Sequence, residues 1–214
     1  MNKINVMVAD DNPVVRAGLS KYIDAEVDIE VIGEASSAEQ AYRLFNELKP
    51  DVLLIGCLYT RGMSGLEALR RILIRHPSAK VIVYTLQDDL AFAGFSLSCG
   101  AKGYITGLSD TNELIKAIRT VLTGKIYISS NMAKKIALQT MSHDENPLKS
   151  LSSREFEMFR LLAEGCSVKE ISEILSVGSK TVANYQTNIK HKLDLHSPVD
   201  IVRMAIRYDI IGLH

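Results

Sequence analysis

Tryptophan is absent from this 214-residue chain, and cysteine and proline are scarce, at three and five. Cys57, Cys99 and Cys166 lie far apart, form no CxxC pair and have no clustered histidine nearby, which argues against a disulfide framework and structural zinc. Buried, reduced thiols are the expectation for all three. Charge of one sign is missing as well: 25 basic side chains meet 25 acidic ones. No global field therefore advertises nucleic acid or a membrane, and any nucleic-acid contact has to come from local asymmetry. Long apolar runs are also wanting. Residues 52–55 and 81–84 fall far short of the roughly 18 residues a bilayer span requires, so no membrane partner is expected. The opening residues contain no extended apolar region of the kind a cleaved signal carries, and a cytoplasmic chain is expected.

What is present is a globular composition, 47% hydrophobic and 23% charged, long enough for one large or two ordinary domains. Over the first half, short β-branched runs at residues 4–9, 29–32, 52–55, 80–85 and 103–106 alternate with amphipathic stretches at 14–25, 38–48, 66–75, 90–99 and 112–122. Five strand–helix repeats predict an α/β fold, a five-stranded parallel doubly wound sheet covered by helices on both sides. Residues 1–124 form this domain. Residues 125–147 form a linker containing one helix, over 131–140, and ending in a polar stretch with a proline stop. Residues 148–214 show only helical periodicity, in segments near 153–163, 168–175, 179–193 and 198–207, and predict an all-α domain of four helices.

Local signals sharpen the second domain. Ser152 with Glu155, and Ser167 with Glu170, are spaced as capping boxes. Gly165 ends the first helix, and Gly178 sits in the turn before Ser179. Two short helices about a tight turn make a helix-turn-helix candidate, against which stands a plain bundle with no nucleic-acid role. Charge weighs for the former. Between Ile174 and Leu193 there is no acid, while Lys180, Lys190 and Lys192 all lie there. On that helix Val182, Tyr185, Ile189 and Leu193 fall on one stripe and are expected to pack inward. The opposite side offers Lys180, Ala183, Asn184, Thr187, Asn188, Lys190 and His191, with Lys169 on the helix before. Asn184 and Thr187 are the expected base-edge readers and Ala183 can meet a thymine methyl, while Ser179 and Thr181 at the helix start can hold a phosphate. Double-stranded DNA is the expected partner. On the last helix, Val202 and Ile206 are apolar candidates for dimerisation.

The motifs Leu151-Ser152-Ser153-Arg154-Glu155, Ala163-Glu164-Gly165, Lys169-Glu170-Ile171-Ser172 and Ser179-Lys180-Thr181-Val182 together resemble the LuxR-type helix-turn-helix. Joined to a receiver-like first half, nearly the whole chain resembles the NarL/FixJ family of response regulators. Gly65-Leu66-Glu67-Ala68, Ala117-Ile118-Arg119 and the stretch 124–129 bring it nearest to the GacA/UvrY-like members. The resemblance implies a transcription regulator whose third LuxR-domain helix enters the major groove and whose last helix dimerises.

It also implies a phosphorylation site, and here the sequence departs from the family. Asp10 and Asp11 close the first strand at the edge where open parallel sheets bind ligands. By resemblance they are the magnesium-binding acids, whereas Asn12 and Pro13 give the same turn a purely structural role as a helix start. Weak magnesium binding by the pair stays open, and no cofactor is expected. Gly56 stands where the family has its nucleophilic Asp, and Gly107 where it has a stabilising Lys. The loop over 57–64 is one residue longer than usual. Of the phosphorylation set only Asp10, Asp11 and Thr85 remain, with Tyr104 at the place of the family's switch residue. Asp51 lies roughly 16 Å away at the wrong end of its strand, and Thr60 and Ser64 lack an adjacent base. The expectation is a pseudo-receiver working without phosphorylation, as a dimerisation or partner-binding module. The alternative is an adaptor that pairs with a related, intact response regulator. Phe92, Phe95, Leu97, Tyr104, Ile105, Leu114, Ile115 and Ile118 form the face expected to associate. An enzyme is not expected: Gly62-Met63-Ser64-Gly65 lacks nucleophile-elbow spacing, and the five histidines form no ligand or triad pattern.

Overall fold

The computed structural model describes all residues except 1–2, 58, 60–61, 87–89, 108–110, 142–145, 209 and 212–214. Thr60 and much of the polar stretch before Pro147 therefore lie outside the described residues. The chain forms two compact units, Met1–Asp88 with Ser96–Ala133, and Asp89–Phe95 with Lys134–His214.

In the first unit, strands β1 (Ile4–Ala9), β2 (Ile29–Ala35), β3 (Val52–Gly56), β4 (Val81–Thr85), β5 (Gly103–Thr106) and β6 (Tyr127–Ile128) make one parallel sheet ordered β2-β1-β3-β4-β5-β6. The crossovers carry helices α1 (Pro13–Asp24), α2 (Ala38–Leu48), α3 (Gly65–Arg75), α4 (Leu90–Ser98), whose residues through Phe95 belong to the second unit, and α5 (Thr111–Leu122). The sheet has six strands rather than the five expected. β6 is two residues long, too short to show periodicity, and forms only because β5 leaves an open edge for Tyr127 and Ile128 to pair with Gly103 and Tyr104. Central strands read as unbroken apolar runs because both faces are covered: all five residues of β3 are buried. Val6, Val8, Val52, Leu54, Ile82 and Ile105 pack with Ile115, Ile118 and Val121 of α5 into one cluster. Because β1 and β3 are neighbours, this order brings Asp10 and Gly56 to the same carboxyl edge.

The second unit contains α6 (Ser130–Met141) from residue 134 on, a 3-10 turn (Pro147–Ser150), and α7 (Ser153–Ala163), α8 (Val168–Ile174), α9 (Ser179–Leu193) and α10 (Pro198–Arg207). The hydroxyl caps work as the spacing suggested. Ser152, Ser167 and Ser197 each accept from the third backbone N–H of their helix, and Glu155, Glu170 and Asp200 reach back to close capping boxes. Phe156, fully buried, is the aromatic centre: the Phe95 ring stacks on it at 4.7 Å and the Phe92 ring meets it edge-on at 5.1 Å. This corrects the expected association face. Phe92 and Phe95 are spent on Phe156, Tyr104, Ile105, Leu114, Ile115 and Ile118 are buried as well, and Leu97 is half-buried. Apolar content marks a core as readily as an interface, and only packing separates the two. No helix among the described residues is long and apolar enough to cross a membrane.

Candidate nucleic-acid interface and receiver pocket

In the second unit, α9 divides much as its spacing predicts. Val182, Ile189 and Leu193 are buried, while Lys180, Thr181, Ala183, Asn184, Thr187, Asn188 and His191 are exposed, as is Lys169 on α8. Lys190 is half-buried. Tyr185, expected in the core, is also half-buried, since its phenol sits at the margin of the apolar stripe. The tight turn uses Ser176, not Gly178, as its left-handed residue, at φ 52°, and the Ser172 hydroxyl donates to the Val177 carbonyl across it. Arg154 anchors the turn to α7 by donating to the Leu175 carbonyl at 2.6 Å while pairing with Glu157 at 3.0 Å.

Gly178 is the N-cap of α9 and gives it no side-chain hydrogen bond. The first-turn N–H groups at Ser179, Lys180 and Thr181 thus face outward at the positive end of the helix dipole, an arrangement that suits a phosphate oxygen. The Thr187 hydroxyl donates back to the Ala183 carbonyl at 3.1 Å, leaving its methyl and an oxygen lone pair for a base edge. Lys192 turns the other way. Its ammonium lies 2.7 Å from a Glu155 oxygen, and this pairing together with the Ser152 N–H holds the Glu155 carboxyl below its ordinary pKa against the opposing effect of burial. On α10, Val202 and Ile206 are half-buried, and Val199, 55% exposed, extends their stripe by one turn. The sequence reading missed Val199 because a valine next to Pro198 looks like part of a helix start.

In the first unit, Asp10 follows β1. Its Oδ1 accepts the Asn12 N–H at 2.8 Å and its carbonyl accepts from Arg16 at 2.6 Å. Asn12 caps α1 by accepting from Val14 and Val15, so the structural role of this turn is real. Burial, then the neighbouring Asp11 charge, raises the Asp10 pKa, offset by the Asn12 N–H and Arg16. A Cβ added to Gly56 would stand 2.8 Å from Asp10 Oδ2, and one added to Gly107 would stand 3.1 Å from the Tyr84 hydroxyl and 2.9 Å from Leu86 Cδ2. Asp10 and Tyr84 thus fill the space in front of these two glycines, and burial, then the Asp10 charge, raises the Tyr84 pKa. Thr85 and Tyr104 are buried.

Three contributors were not legible beforehand: Tyr59, Tyr84 and Glu39. Tyr59 carries a buried hydroxyl with no hydrogen-bond partner, and its pKa is raised well above the usual value by burial and by the charges of Asp10, Asp11, Cys57 and Glu39. Glu39 accepts the Met63 N–H at 2.6 Å. The extra residue of the loop was the available signal, but a loop's path cannot be read from its length. Among the described residues no three His, Cys, Asp or Glu side chains converge as a metal site would need. With Gly56 supplying no ligand, the donor set does not fit magnesium, which favours near-ideal octahedral oxygen coordination.

Residues 6–119 match the family described as response regulator receiver domain, and residues 149–205 match that of bacterial regulatory proteins, luxR family. The chain is 36% identical over 211 residues to the response regulator GacA of Pseudomonas aeruginosa, covering 97% of this chain and 98% of that one. It is 34% identical over 215 residues to the oxygen regulatory protein NreC of Staphylococcus haemolyticus, covering 97% and 99%. Among solved structures, a LuxR-family two-component response regulator from Aurantimonas sp. is 34% identical with a TM-score of 0.63, covering 65% of this chain and 99% of that one. RcsB of Salmonella typhimurium, 24% identical over the full length of both chains, shares the fold with a TM-score of 0.72.

Proposed function

Because this chain belongs to the LuxR-family response regulators, a receiver joined to a DNA-binding helix-turn-helix domain, we propose that it regulates transcription without aspartyl phosphorylation. The observation that carries this reading is Gly56. The acceptor position holds no nucleophile, and Asp10 Oδ2 stands 2.8 Å from where a side chain would begin. Gly107 removes the cation that would steady phosphoryl oxygens, a charge-assisted contact of about 1.5 to 3 kcal/mol. Acetyl phosphate with magnesium is expected to leave the intact mass of the full chain unchanged, and a stable phosphoryl adduct in the first unit would sink the proposal.

On this reading the work falls to the second unit. The N-terminus of α9, with Ser179, Lys180 and Thr181, takes a phosphate, while Ala183, Asn184, Thr187 and Asn188 meet base edges. Lys169, Lys190 and His191 flank the backbone. Val199, Val202 and Ile206 on α10 join a second copy, so that two reading heads span a two-half-site operator. The receiver-like domain serves association or partner binding.

One observation favours the adaptor reading, in which the chain pairs with an intact response regulator. Lys192 is turned inward to Glu155, which thins the cations available to DNA. Salt-dependent binding of the full chain alone to duplex DNA separates the two, since an adaptor binds only with its partner.

A further inference from the structure

A left-handed backbone is not one that an L residue adopts by preference, so Ser176, at φ 52°, has to be held there. The carbonyls on either side of it are both taken by side chains. The Ser172 hydroxyl donates to the Val177 carbonyl, and the Ser172 carbonyl accepts the Val177 N–H at 3.0 Å. The Leu175 carbonyl, at the end of α8 where helical acceptors run out of partners, accepts from Arg154 at 2.6 Å. Arg154 belongs to another helix. Its side chain is 18% exposed and spans two elements: one guanidinium nitrogen donates at 3.0 Å to Glu157, 4% exposed on α7 itself, and another donates to the end of α8. A planar fork with donors at fixed angles satisfies both at once. The residue beside it, Glu155, lies 2.7 Å from the Lys192 ammonium in the last turn of α9. Two neighbouring side chains on the first turn of α7 thus fasten the turn that leads into α9 and the turn that ends it. Ala183, Asn184, Thr187 and Asn188 all lie between these fastenings.

We propose that Arg154 is a positioning residue for sequence reading: through the Leu175 carbonyl it sets the angle at which α9 leaves the turn, and so which base edges Asn184 reaches, without itself touching DNA. The inference rests on α9 being the reading helix. Base readout tolerates little error, since a recognition constellation has to be held to within about 0.5 Å by the residues behind it. Phosphate contacts made by flexible lysines tolerate more. Changing Arg154 therefore separates the two kinds of contact.

The test uses the full chain, a duplex that the parent chain selects from a random pool, and random-sequence duplex beside it. Arg154→Lys keeps a charge for Glu157 but lacks the fork, so the Leu175 carbonyl loses its donor. Its preference for the selected duplex over random duplex is expected to fall about tenfold, with the salt slope on random duplex unchanged. Combined with Asn184→Ala, it is expected to cost less than the product of the two single losses, because a misplaced asparagine has less to lose. Phe159→Leu, a change at a fully buried α7 residue, is the control for stability and is expected to keep full preference while urea unfolding shows it folded. Undiminished preference in folded Arg154→Lys overturns the proposal, as do losses that multiply fully with Asn184→Ala. A reduced salt slope overturns it too, by putting Arg154 on a phosphate. If Arg154→Lys does not fold, Ser172→Ala, which releases the Val177 carbonyl on the other side of Ser176, carries the same expectations and the same refutations. A parent chain that binds duplex but selects no sequence overturns the reading of α9 instead.

Discussion

Two lysines on one helix should behave as different kinds of residue. Lys180 is exposed on the first turn of α9, whereas Lys192, three turns on, is held 2.7 Å from Glu155 and 3.5 Å from the Ser150 carbonyl. If Lys180 meets a phosphate, Lys180→Ala lowers the slope of log affinity against log salt by about 0.9 for each recognition helix engaged. Between 50 and 200 mM salt, one such contact weakens binding by about 3.5-fold, so its loss is easily measured. Lys192→Ala should leave the slope unchanged and act on stability. It strips the ammonium from a Glu155 side chain that is only 7% exposed, while the Ser152 N–H still donates to it. A hydrogen bond to a charged group is worth about 1.5 to 3 kcal/mol, and the low end applies because the Lys192 side chain is 40% exposed. Fluorescence anisotropy of the full chain on random-sequence duplex gives the slope, and urea unfolding gives the stability. A slope reduced as much by Lys192→Ala as by Lys180→Ala, with no change in the unfolding midpoint, would refute the division of roles.

Asn184→Ala should relax preference at one base pair of a selected operator at a cost of about 1 to 3 kcal/mol and leave binding to random duplex intact, as read by competition binding with single-base variants. Phe156→Ala removes the ring between Phe92 and Phe95 and should destabilise by about 3 to 5 kcal/mol, measured by urea unfolding. The depressed pKa of Glu155 makes its contribution fully present above the unfolded value near 4.3 and lost as pH falls below it. Glu155→Gln should therefore flatten the acid limb of the stability curve below about pH 4.5 and lower stability at neutral pH, the opposite of what a carboxyl with a raised pKa would give.

The sequence alone carried the periodicities, the serine caps with their acids, and the acid-free stretch from Ile174 to Leu193, because each is local: a capping box spans four residues and an amphipathic stripe a few turns. That positions 56 and 107 offer no side chain was legible for the same reason, since a glycine lacks one in any conformation. What packs against these glycines was not legible. Asp10 reaches Gly56 from the end of β1 and Tyr84 reaches Gly107 from β4, and only the strand order brings those positions to one edge. The inward turn of Lys192, the burial of Phe92 and Phe95 against Phe156, and the pairing of Tyr127 with Gly103 were likewise settled between segments distant in sequence. A cation, a ring or a short strand carries no local mark of its partner. Which partner it takes depends on the surface the folded chain sets beside it, and that is decided by long-range packing.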